Sequence, residues 1–335
     1  MKAAELNNKR FEIKEIPSLS LREGQTGAII KVDACGMCGS DIVKIFTGSA
    51  KEGSVLGHEV VGHIVEINSK TDFEKGDRVV LGHHVPCFDC QYCYGESYSM
   101  CSQFKSTNIY PGGFSEYIYV SELHLMNTVF KTNYSIPDEH AIFTEPIACC
   151  LRAVKRLKLT PTSKVLVIGL GSIGLLTGQL LRYVGYQPFG ADIIDERIEL
   201  AEKYGFEGVF KVNDSDLKEQ VKKVTQYGFD GVFLSAGSDS SVELAKSLVR
   251  NGGTILVFSS SKTNVGYTHN DIYYRELTVI GSYSPSPLDL EESYDIIEKG
   301  KIRLDELVTD YEIENINQAL EDTLSNKIMK ACIRL

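Results

Sequence analysis

One segment constrains the fold more than any other, the run KVLVIGLGSIGLLTGQLL at residues 164–181. A short apolar stretch leads into glycines at a G-x-G-x-x-G spacing, and a second apolar stretch follows. A strand, a glycine turn and a helix in this order indicate a dinucleotide site when an acid follows about twenty residues later. The sequence therefore predicts a site formed by Gly169, Gly171, Ser172, Ile173, Gly174 and, about twenty residues on, Asp192.

Each glycine of this motif has its own structural role. The first permits the turn, the second lets the backbone approach a pyrophosphate, and the third lets the helix lie close to the sheet, with the helix N-terminus facing the anion. A carboxylate at Asp192 accepts hydrogen bonds from ribose hydroxyls and repels a 2′-phosphate, which favours NAD over NADP. Arg197 is a second candidate cofactor residue, since its guanidinium could pair with a neighbouring acid, stack on adenine or bind a 2′-phosphate.

The two parts of the chain differ in their pattern. Up to about residue 145, short apolar runs alternate with turn signals such as EKGD, which predicts mainly β structure. From about Thr160, strand-like runs alternate with helical ones, and this predicts a doubly wound parallel sheet. The last fifty residues do not continue the alternation, and we expect them to return to the first domain. The run 165–181 lacks charge, but its glycines favour a buried strand and packed helix over a membrane span.

Composition limits the class of ligand. The chain has 335 residues, enough for about two domains, and a formal net charge of −10. An acidic protein lacks the clustered Lys and Arg that nucleic acid or an anionic membrane requires, so we expect neither as a partner and instead a small molecule. The first residues lack the apolar core of a signal peptide, so the expected location is cytoplasmic, where thiols stay free or bind metal.

Four cysteines occur within the fifteen residues CFDCQYCYGESYSMC, at positions Cys87, Cys90, Cys93 and Cys101. Four thiolates can complete a tetrahedral shell around zinc and leave no position for water or substrate. An iron–sulfur cluster and free buried thiols are the alternatives. The polar loop favours zinc, and such a closed site would tie a loop without catalysing a reaction.

A second metal site would have to combine separate segments. Cys38, His58 with Glu59, and Glu145 supply a thiolate, an imidazole and carboxylates, a set that can bind zinc with an open coordination position. The alternatives are less consistent with the pattern. Cys35 and Cys38 lack a thioredoxin-like context, and His58 with His63 miss the metalloprotease spacing by one residue. We expect His83 and His84 to be surface or packing residues.

Together, CGMCGSD, GHE, the four-cysteine loop, GGFSEY, TEP and GLGSIG resemble the zinc-dependent medium-chain dehydrogenases over essentially the whole chain. The resemblance is to the polyol branch, which includes sorbitol and sugar-alcohol-phosphate dehydrogenases. It implies a GroES-like, mainly β catalytic domain at 1–146, a Rossmann domain at 147–286 and a C-terminal segment, 287–335, that completes the first domain. It also implies a cleft that holds zinc and nicotinamide, and a homodimer or homotetramer.

The resemblance also implies roles. Cys38 and His58 match the family's zinc ligands, and Glu59 and Glu145 match acids that bind zinc directly or through its water. Ser40 resembles the hydroxyl that carries the proton away during hydride transfer to NAD. Asp41 resembles a residue that orients the histidine, and we expect its basic partner to be Lys330 or Arg334.

The chain departs from the family at Val43, where many members have a histidine that continues the proton relay. Lys44 is a candidate for binding a substrate phosphate, or it is an exposed lysine of a helix. The expected reaction is hydride transfer between NAD and a secondary alcohol such as a polyol, a sugar alcohol or its phosphate. The alternatives are a dehydrogenase of an amino alcohol or aminocyclitol, similar to threonine dehydrogenases, and a non-catalytic zinc protein that binds a dinucleotide.

Overall fold

The computed structural model describes residues 1–260 and 265–335. The chain divides into two compact units, which are described separately. The first unit contains Met1–Ala148, Pro285–Gly300 and Leu304–Leu335, and the second contains Cys149–Ser284 and Lys301–Arg303.

The first unit is mainly β structure. Its strands, labelled in chain order, are β1 Lys2–Asn7, β2 Arg10–Glu15, β3 Gly27–Gly36, β4 Glu59–Asn68, β5 Arg78–Leu81, β6 Tyr117–Val120, β7 Val129–Lys131, β14 Val308–Glu312 and β15 Lys330–Arg334. Its helices are α1 Gly39–Thr47, α2 Gln91–Tyr94, α3 Ser102–Ser106, α4 Glu122–Asn127, α5 Asp138–Ala141, α12 Pro287–Glu298 and α13 Ile316–Leu324, together with the start of α6 Thr144–Leu157. The larger sheet has the order β14-β15-β3-β4-β5-β7, with β6 also paired to β3.

The pairing of β3 with β4 determines where the chain carries its polar groups. The two strands are antiparallel, and Gly36 at the end of β3 lies opposite Glu59 at the start of β4. The loop after β3 therefore lies beside the residues that precede β4. A side chain at Gly36 would not fit, because an added Cβ would lie 2.0 Å from Oε2 of Glu59. The C-terminal strand β15 pairs with β3 on its other side, with Cys332 opposite Gly36.

The second unit is a parallel sheet with helices. Its strands are β8 Lys164–Ile168, β9 Gln187–Asp192, β10 Gly208–Lys211, β11 Phe229–Leu234, β12 Val249–Val257 and β13 Thr278–Gly281, and its helices are α7 Ser172–Tyr183, α8 Asp195–Lys203, α9 Leu217–Val224, α10 Asp239–Leu248 and α11 His269–Tyr273, after the end of α6. The strand order is β10-β9-β8-β11-β12-β13. Counted from β8, this is the 3-2-1-4-5-6 order of a dinucleotide-binding Rossmann fold.

The apolar runs of the sequence form the cores of these units. In the second unit, the rings of Phe189, Phe210 and Phe229 pack together, with Phe189 and Phe229 centroids 5.3 Å apart. The run at 165–181 forms the buried strand β8 and the packed helix α7, as the glycine pattern predicts. Within residues 1–260 and 265–335, no helix combines the length and the apolar character needed to cross a membrane. The predicted mainly β domain and doubly wound sheet are confirmed.

Candidate active site and metal centres

The four cysteines of the loop lie close together, around the short helices α2 and α3. Their sulfur atoms are 3.5 Å apart for Cys90 and Cys93, 3.5 Å for Cys87 and Cys101, and 3.9 Å for Cys87 and Cys93. A tetrahedron of thiolates at the usual Zn–S distance has edges of about 3.8 Å. The donor set therefore fits a single tetrahedral ion. A multinuclear iron–sulfur cluster would place iron and sulfide between the cysteines and hold their sulfurs farther apart.

Backbone donors also point at this cluster. The N–H groups of Cys87 and Asp89 donate to the sulfurs of Cys101 and Cys87, each at 3.4 Å. Without a metal, desolvation raises the pKa of the Cys93 thiol to about 12. Metal binding must therefore displace a proton from Cys93, which makes loading of the loop dependent on pH.

A second group of donors comes from segments far apart in the sequence. Cys38 is the N-cap of α1, two residues after the end of β3, and His58 directly precedes Glu59, the first residue of β4. One donor atom from each of Cys38, His58 and Glu59 lies within 4.8 Å of the others. His58 and Glu59 are buried, at 5% and 1% exposure. The antiparallel pairing of β3 and β4 thus brings together the thiol and the imidazole that the sequence separates by twenty residues.

The carboxylate of Glu59 shows that this group suits a cation. Its Oε1 is buried and has no hydrogen-bond partner among the residues described, while Oε2 forms an ion pair with Nζ of Lys330. A buried carboxylate oxygen without a partner is costly unless a proton donor or a metal satisfies it. The Lys330 side chain is itself buried and lies over the Phe143 ring, 5.9 Å from its centroid.

Asp41 connects α1 to His58. Its Oδ1 lies 3.4 Å from Nδ1 of His58, and its Oδ2 accepts the Cys38 N–H at 3.3 Å, forming a capping box. Burial acts to lower the pKa of His58, but the charge and hydrogen bond of Asp41 and the Cys38 sulfur together outweigh it and raise the pKa well above the ordinary value. Burial acts to raise the pKa of Asp41, but the charge and hydrogen bond of His58, with smaller effects of Lys44 and the Cys38 N–H, together lower it. The pair fixes the ring orientation of His58, as a carboxylate does for many ligating histidines.

The expected basic partner of Asp41 is wrong. Lys330 pairs with Glu59, since β15 carries it toward the start of β4. Arg334 pairs with Asp138, Glu139 and Asp310 on α5 and β14. The lysine that pairs with Asp41 in the described part of the chain is Lys44, one turn along the same helix, with Nζ 3.9 Å from Oδ1 and the side chain half exposed.

Glu145 lies in the first turn of α6, and it belongs to a second set of donors. One donor atom from each of His58, His83 and Glu145 lies within 4.8 Å of the others. The expectation for His83 is therefore incomplete. Its ring does pack, 4.5 Å from that of His58 and 4.0 Å from that of His84, but it also lies among potential ligands. The sequence feature that could have identified His83 as a potential ligand is its position, as a polar residue just after the buried strand β5.

Ser40 and Val43 both lie on the exposed side of α1. Ser40 is exposed, and its N–H donates to the sulfur of Cys38 at 3.4 Å. Val43 is 43% exposed. The hydroxyl of Ser40 therefore lies two residues from a candidate ligand and next to solvent.

The glycine loop of the second unit has the predicted geometry. Gly169 follows β8 with a φ of +92°, Gly171 is the N-cap of α7, and Ser172 and Ile173 begin that helix. A Cβ added at Gly174 would lie 2.0 Å from the oxygen of Gly169, so the helix start is packed against the turn. A Cβ at Gly171 would meet no atom within 4 Å among the described residues, which leaves this side of the loop open to a pyrophosphate.

Asp192 is the last residue of β9, next to the glycine loop. Its Oδ2 accepts the Leu170 N–H at 2.6 Å, and its Oδ1 accepts the N–H groups of Ile193 and Ile194 at 2.7 and 3.0 Å. Nη1 of Arg197 is 3.7 Å from Oδ2. The carboxylate therefore anchors the loop as well as offering its remaining acceptor capacity to a ligand.

Comparison with known proteins agrees with this arrangement. The family model described as "Alcohol dehydrogenase GroES-like domain" matches residues 24–129, and the one described as "Zinc-binding dehydrogenase" matches residues 172–299. The two matches fall in the mainly β unit and mostly in the parallel-sheet unit.

Individual relatives cover nearly the whole chain. D-arabinitol dehydrogenase 1 of Uromyces fabae is 31% identical over 91% of this chain and 89% of its own length, and a probable D-xylulose reductase A of Aspergillus terreus is 26% identical over 98% and 95%. The solved structure of galactitol-1-phosphate dehydrogenase from Escherichia coli is 27% identical, covers 100% of both chains and has a TM-score of 0.87. The chain is therefore an enzyme that belongs to the zinc-dependent medium-chain dehydrogenase family, in its polyol dehydrogenase branch.

Proposed function

We propose that this protein transfers a hydride between a secondary alcohol group of a polyol, sugar alcohol or sugar-alcohol phosphate and NAD, with zinc as the catalytic metal. The observation that carries the proposal is the convergence of Cys38, His58 and Glu59 on one buried point, where an oxygen of Glu59 has no other partner among the described residues. Relatives named for xylulose, arabinitol and galactitol-1-phosphate support the substrate class.

Cys38 and His58 would hold the zinc, and Asp41 keeps the His58 ring in the orientation that ligation requires. Once bound, zinc would supply Lewis-acid chemistry at the substrate hydroxyl, and the nicotinamide would supply the hydride acceptor. Ser40 receives the hydroxyl proton and passes it to water, since it is exposed and lies two residues from Cys38. Loss of the hydride from the carbon and of the proton from its hydroxyl oxygen converts the secondary alcohol to a ketone.

Glu59 and Glu145 have different surroundings, and we assign their roles at the metal from this difference. Glu59 shares a donor set with Cys38 and His58 and has one free buried oxygen, so we assign it as the carboxylate ligand of that set. Its charge is partly balanced by Lys330. Glu145 belongs to the set of His58 and His83, so it approaches His58 from the start of α6.

The cofactor is assigned as NAD from the acid at the end of β9. The Asp192 charge disfavours a 2′-phosphate, and Arg197 lies near Asp192, where their opposite charges offset each other. Replacing Arg197 with Gln should leave kcat/KM for NAD within about threefold and should not reduce activity with NADP selectively. A selective loss with NADP would mean that Arg197 binds the phosphate.

The polar loop of four cysteines is assigned as a structural zinc site. Its sulfur distances fit one tetrahedral ion, and a closed shell leaves no position for substrate. We also propose a homodimer or homotetramer, which light scattering of the purified protein would establish.

A panel of substrates tests the reaction. Polyols, their phosphates and amino alcohols are offered with NAD and with NADP, and formation of the reduced cofactor is followed by its absorbance. The expected result is oxidation of at least one polyol or polyol phosphate with NAD. A preference for amino alcohols would assign the threonine-dehydrogenase-like alternative, and no turnover of any secondary alcohol would support a non-catalytic dinucleotide-binding protein.

A further inference from the structure

We propose that His83 is a further ligand of the catalytic metal, so that the ion can occupy two positions that share His58. In one position it is bound by Cys38, His58 and Glu59, and in the other by His58, His83 and Glu145. The inference rests on the metal centre proposed above, and it concerns a residue that the zinc-binding pattern of the sequence did not include.

Both donor sets are compact. In each set, one donor atom per residue lies within 4.8 Å of the other two. Donors that share a tetrahedral zinc at 2.0–2.1 Å are separated by about 3.4 Å, so modest side-chain rotation brings either set into bonding range. The His58 and His83 rings are already close, with centroids 4.5 Å apart and planes tilted by 43°.

The backbone of His83 is held firmly where this role needs it. His83 follows Gly82 after β5, which is buried along its length. The N–H of Gly82 donates to the Thr128 oxygen at 2.8 Å, and the His83 oxygen lies 3.1 Å from Nε2 of His124. A ligand on a supported strand end keeps its position better than one on a free loop.

The net charge of the metal ion with its ligands differs between the two positions. A thiolate and a carboxylate with one neutral imidazole cancel the charge of Zn²⁺, whereas one carboxylate with two imidazoles leaves a net charge of about +1. The ion is therefore a stronger electron acceptor at the His83 position. The ammonium of Lys330, buried against Glu59, also weakens the pull of Glu59 on the ion and favours exchange toward Glu145 and His83.

The neighbouring histidine provides a matched control. His84 packs against His83 and against Phe104, with centroids 4.0 and 4.9 Å away, and its Nδ1 contacts the Thr107 oxygen. It is part of neither donor set found among the described residues. Replacing either histidine with Phe keeps a ring of similar size, so His83→Phe and His84→Phe differ mainly in the loss of a potential ligand.

The test measures metal binding rather than turnover. The chelatable metal is removed from the folded full-length protein, and Zn²⁺ is then titrated back in competition with a chromophoric chelator. Co²⁺ is added in a parallel sample, where visible absorption reports its ligands. His83→Phe should weaken Zn²⁺ binding by at least about 10-fold and change the Co²⁺ spectrum, and His84→Phe should do neither.

Three results decide the matter. If His83→Phe binds Zn²⁺ and Co²⁺ as the wild type does while His58→Asn, which removes the ligand shared by both positions, loses them, the role of His83 is wrong and the metal centre stands. If His58→Asn also binds as the wild type does, the metal centre itself is wrong. Should His83→Phe fail to fold, X-ray absorption of the wild type with Co²⁺ in the exchangeable site replaces it, with a contribution from two imidazoles expected and a single imidazole contradicting the proposal.

Discussion

The two candidate metal centres of this protein are built in opposite ways. The four cysteines of the loop lie within fifteen residues, and their sulfurs meet through local turns. Cys38, His58 and Glu145 come from a helix cap, a strand start and a helix start spread over more than a hundred residues. A local site can stay closed while its surroundings change, whereas a dispersed site exists only when the sheet register is correct. The local site therefore suits a structural role, and the dispersed site suits an open coordination position.

The largest difference between the centres should appear when their ligands are removed. His58 belongs to both donor sets of the dispersed site, so His58→Asn should remove the exchangeable metal and lower kcat/KM by about 10³-fold, equivalent to about 4 kcal/mol of barrier. Steady-state kinetics and metal analysis provide the measurement. Metal in the cysteine loop should remain, and activity within tenfold of the wild type would contradict the assignment.

Removing a ligand from the cysteine loop should mainly lower the stability of the protein. Cys93→Ser opens the tetrahedral shell of the loop, and the loss of several kcal/mol of metal binding should lower Tm by about 10 °C. The kcat/KM of the protein that remains folded should change by less than about tenfold, because the dispersed site does not use this loop. Scanning calorimetry with kinetics below the transition measures both. Full inactivation of a folded variant would show that the two centres are coupled.

Replacing Lys330 tests whether a bound metal ion balances the buried charge of Glu59 at the dispersed site. Lys330→Met leaves the buried Glu59 carboxylate without its ion pair, which should destabilise the metal-free protein by about 3 kcal/mol. The loss should be smaller with zinc bound, because the cation then faces Glu59. Denaturant unfolding with and without metal measures the difference, and Glu59→Gln/Lys330→Met serves as the control that removes both charges. Equal losses in both states would contradict a metal at Glu59.

Replacing Lys44 tests whether the dispersed site recognises a substrate phosphate. Its side chain is half exposed and lies near Asp41, so it could contact a substrate phosphate without being part of the metal shell. If it does, Lys44→Ala should raise KM for a phosphorylated polyol by about 10-fold and leave KM for the parent polyol unchanged. Lys51→Ala, an exposed lysine in the following loop, is the control. An equal effect on both substrates would end the phosphate role.

The smallest effect concerns the C-terminal segment that carries Lys330. The Asp322 carboxylate on α13 accepts hydrogen bonds from the Tyr311 hydroxyl at 2.7 Å and from Lys327 at 3.1 Å, and the Tyr311 bond is the main reason that its pKa is lowered from 3.8. The resulting stabilisation is present above the unfolded pKa of about 3.9 and is lost as the pH falls through the lower folded value. Asp322→Asn should therefore flatten the fall in Tm below about pH 4. An unchanged profile would mean that other groups dominate.

The sequence indicates the local features of this molecule better than the distant ones. The glycine spacing and the acid at Asp192 predict the loop between β8 and α7, and the cysteine spacing predicts a cluster, because both depend on residues near each other in the chain. Cys38, His58, Glu59 and Glu145 can be named as candidates from residue type and family resemblance. Their closeness requires the β3–β4 register, which apolar alternation alone does not specify.

The wrong prediction for the partner of Asp41 has the same origin. The positions of Lys330 and Arg334 in the sequence do not show which acid each of them meets. The register of β15 against β3 instead brings Lys330 to Glu59, and Arg334 to the acids of α5 and β14. His83 packs as expected, and its closeness to His58 is a contact that no spacing in the sequence indicates. Only the antiparallel pairing of β4 and β5 brings the two rings together.

The central claim is that the protein holds a catalytic zinc at Cys38 and His58 in addition to the zinc of the cysteine loop. Its most direct test is to follow activity and bound zinc together while a chelator acts on the folded enzyme. We expect about two zinc ions per chain, with activity falling to zero as the first is removed and returning when Zn²⁺ is added back. Full activity in a folded protein that retains only the zinc of the cysteine loop would contradict the claim.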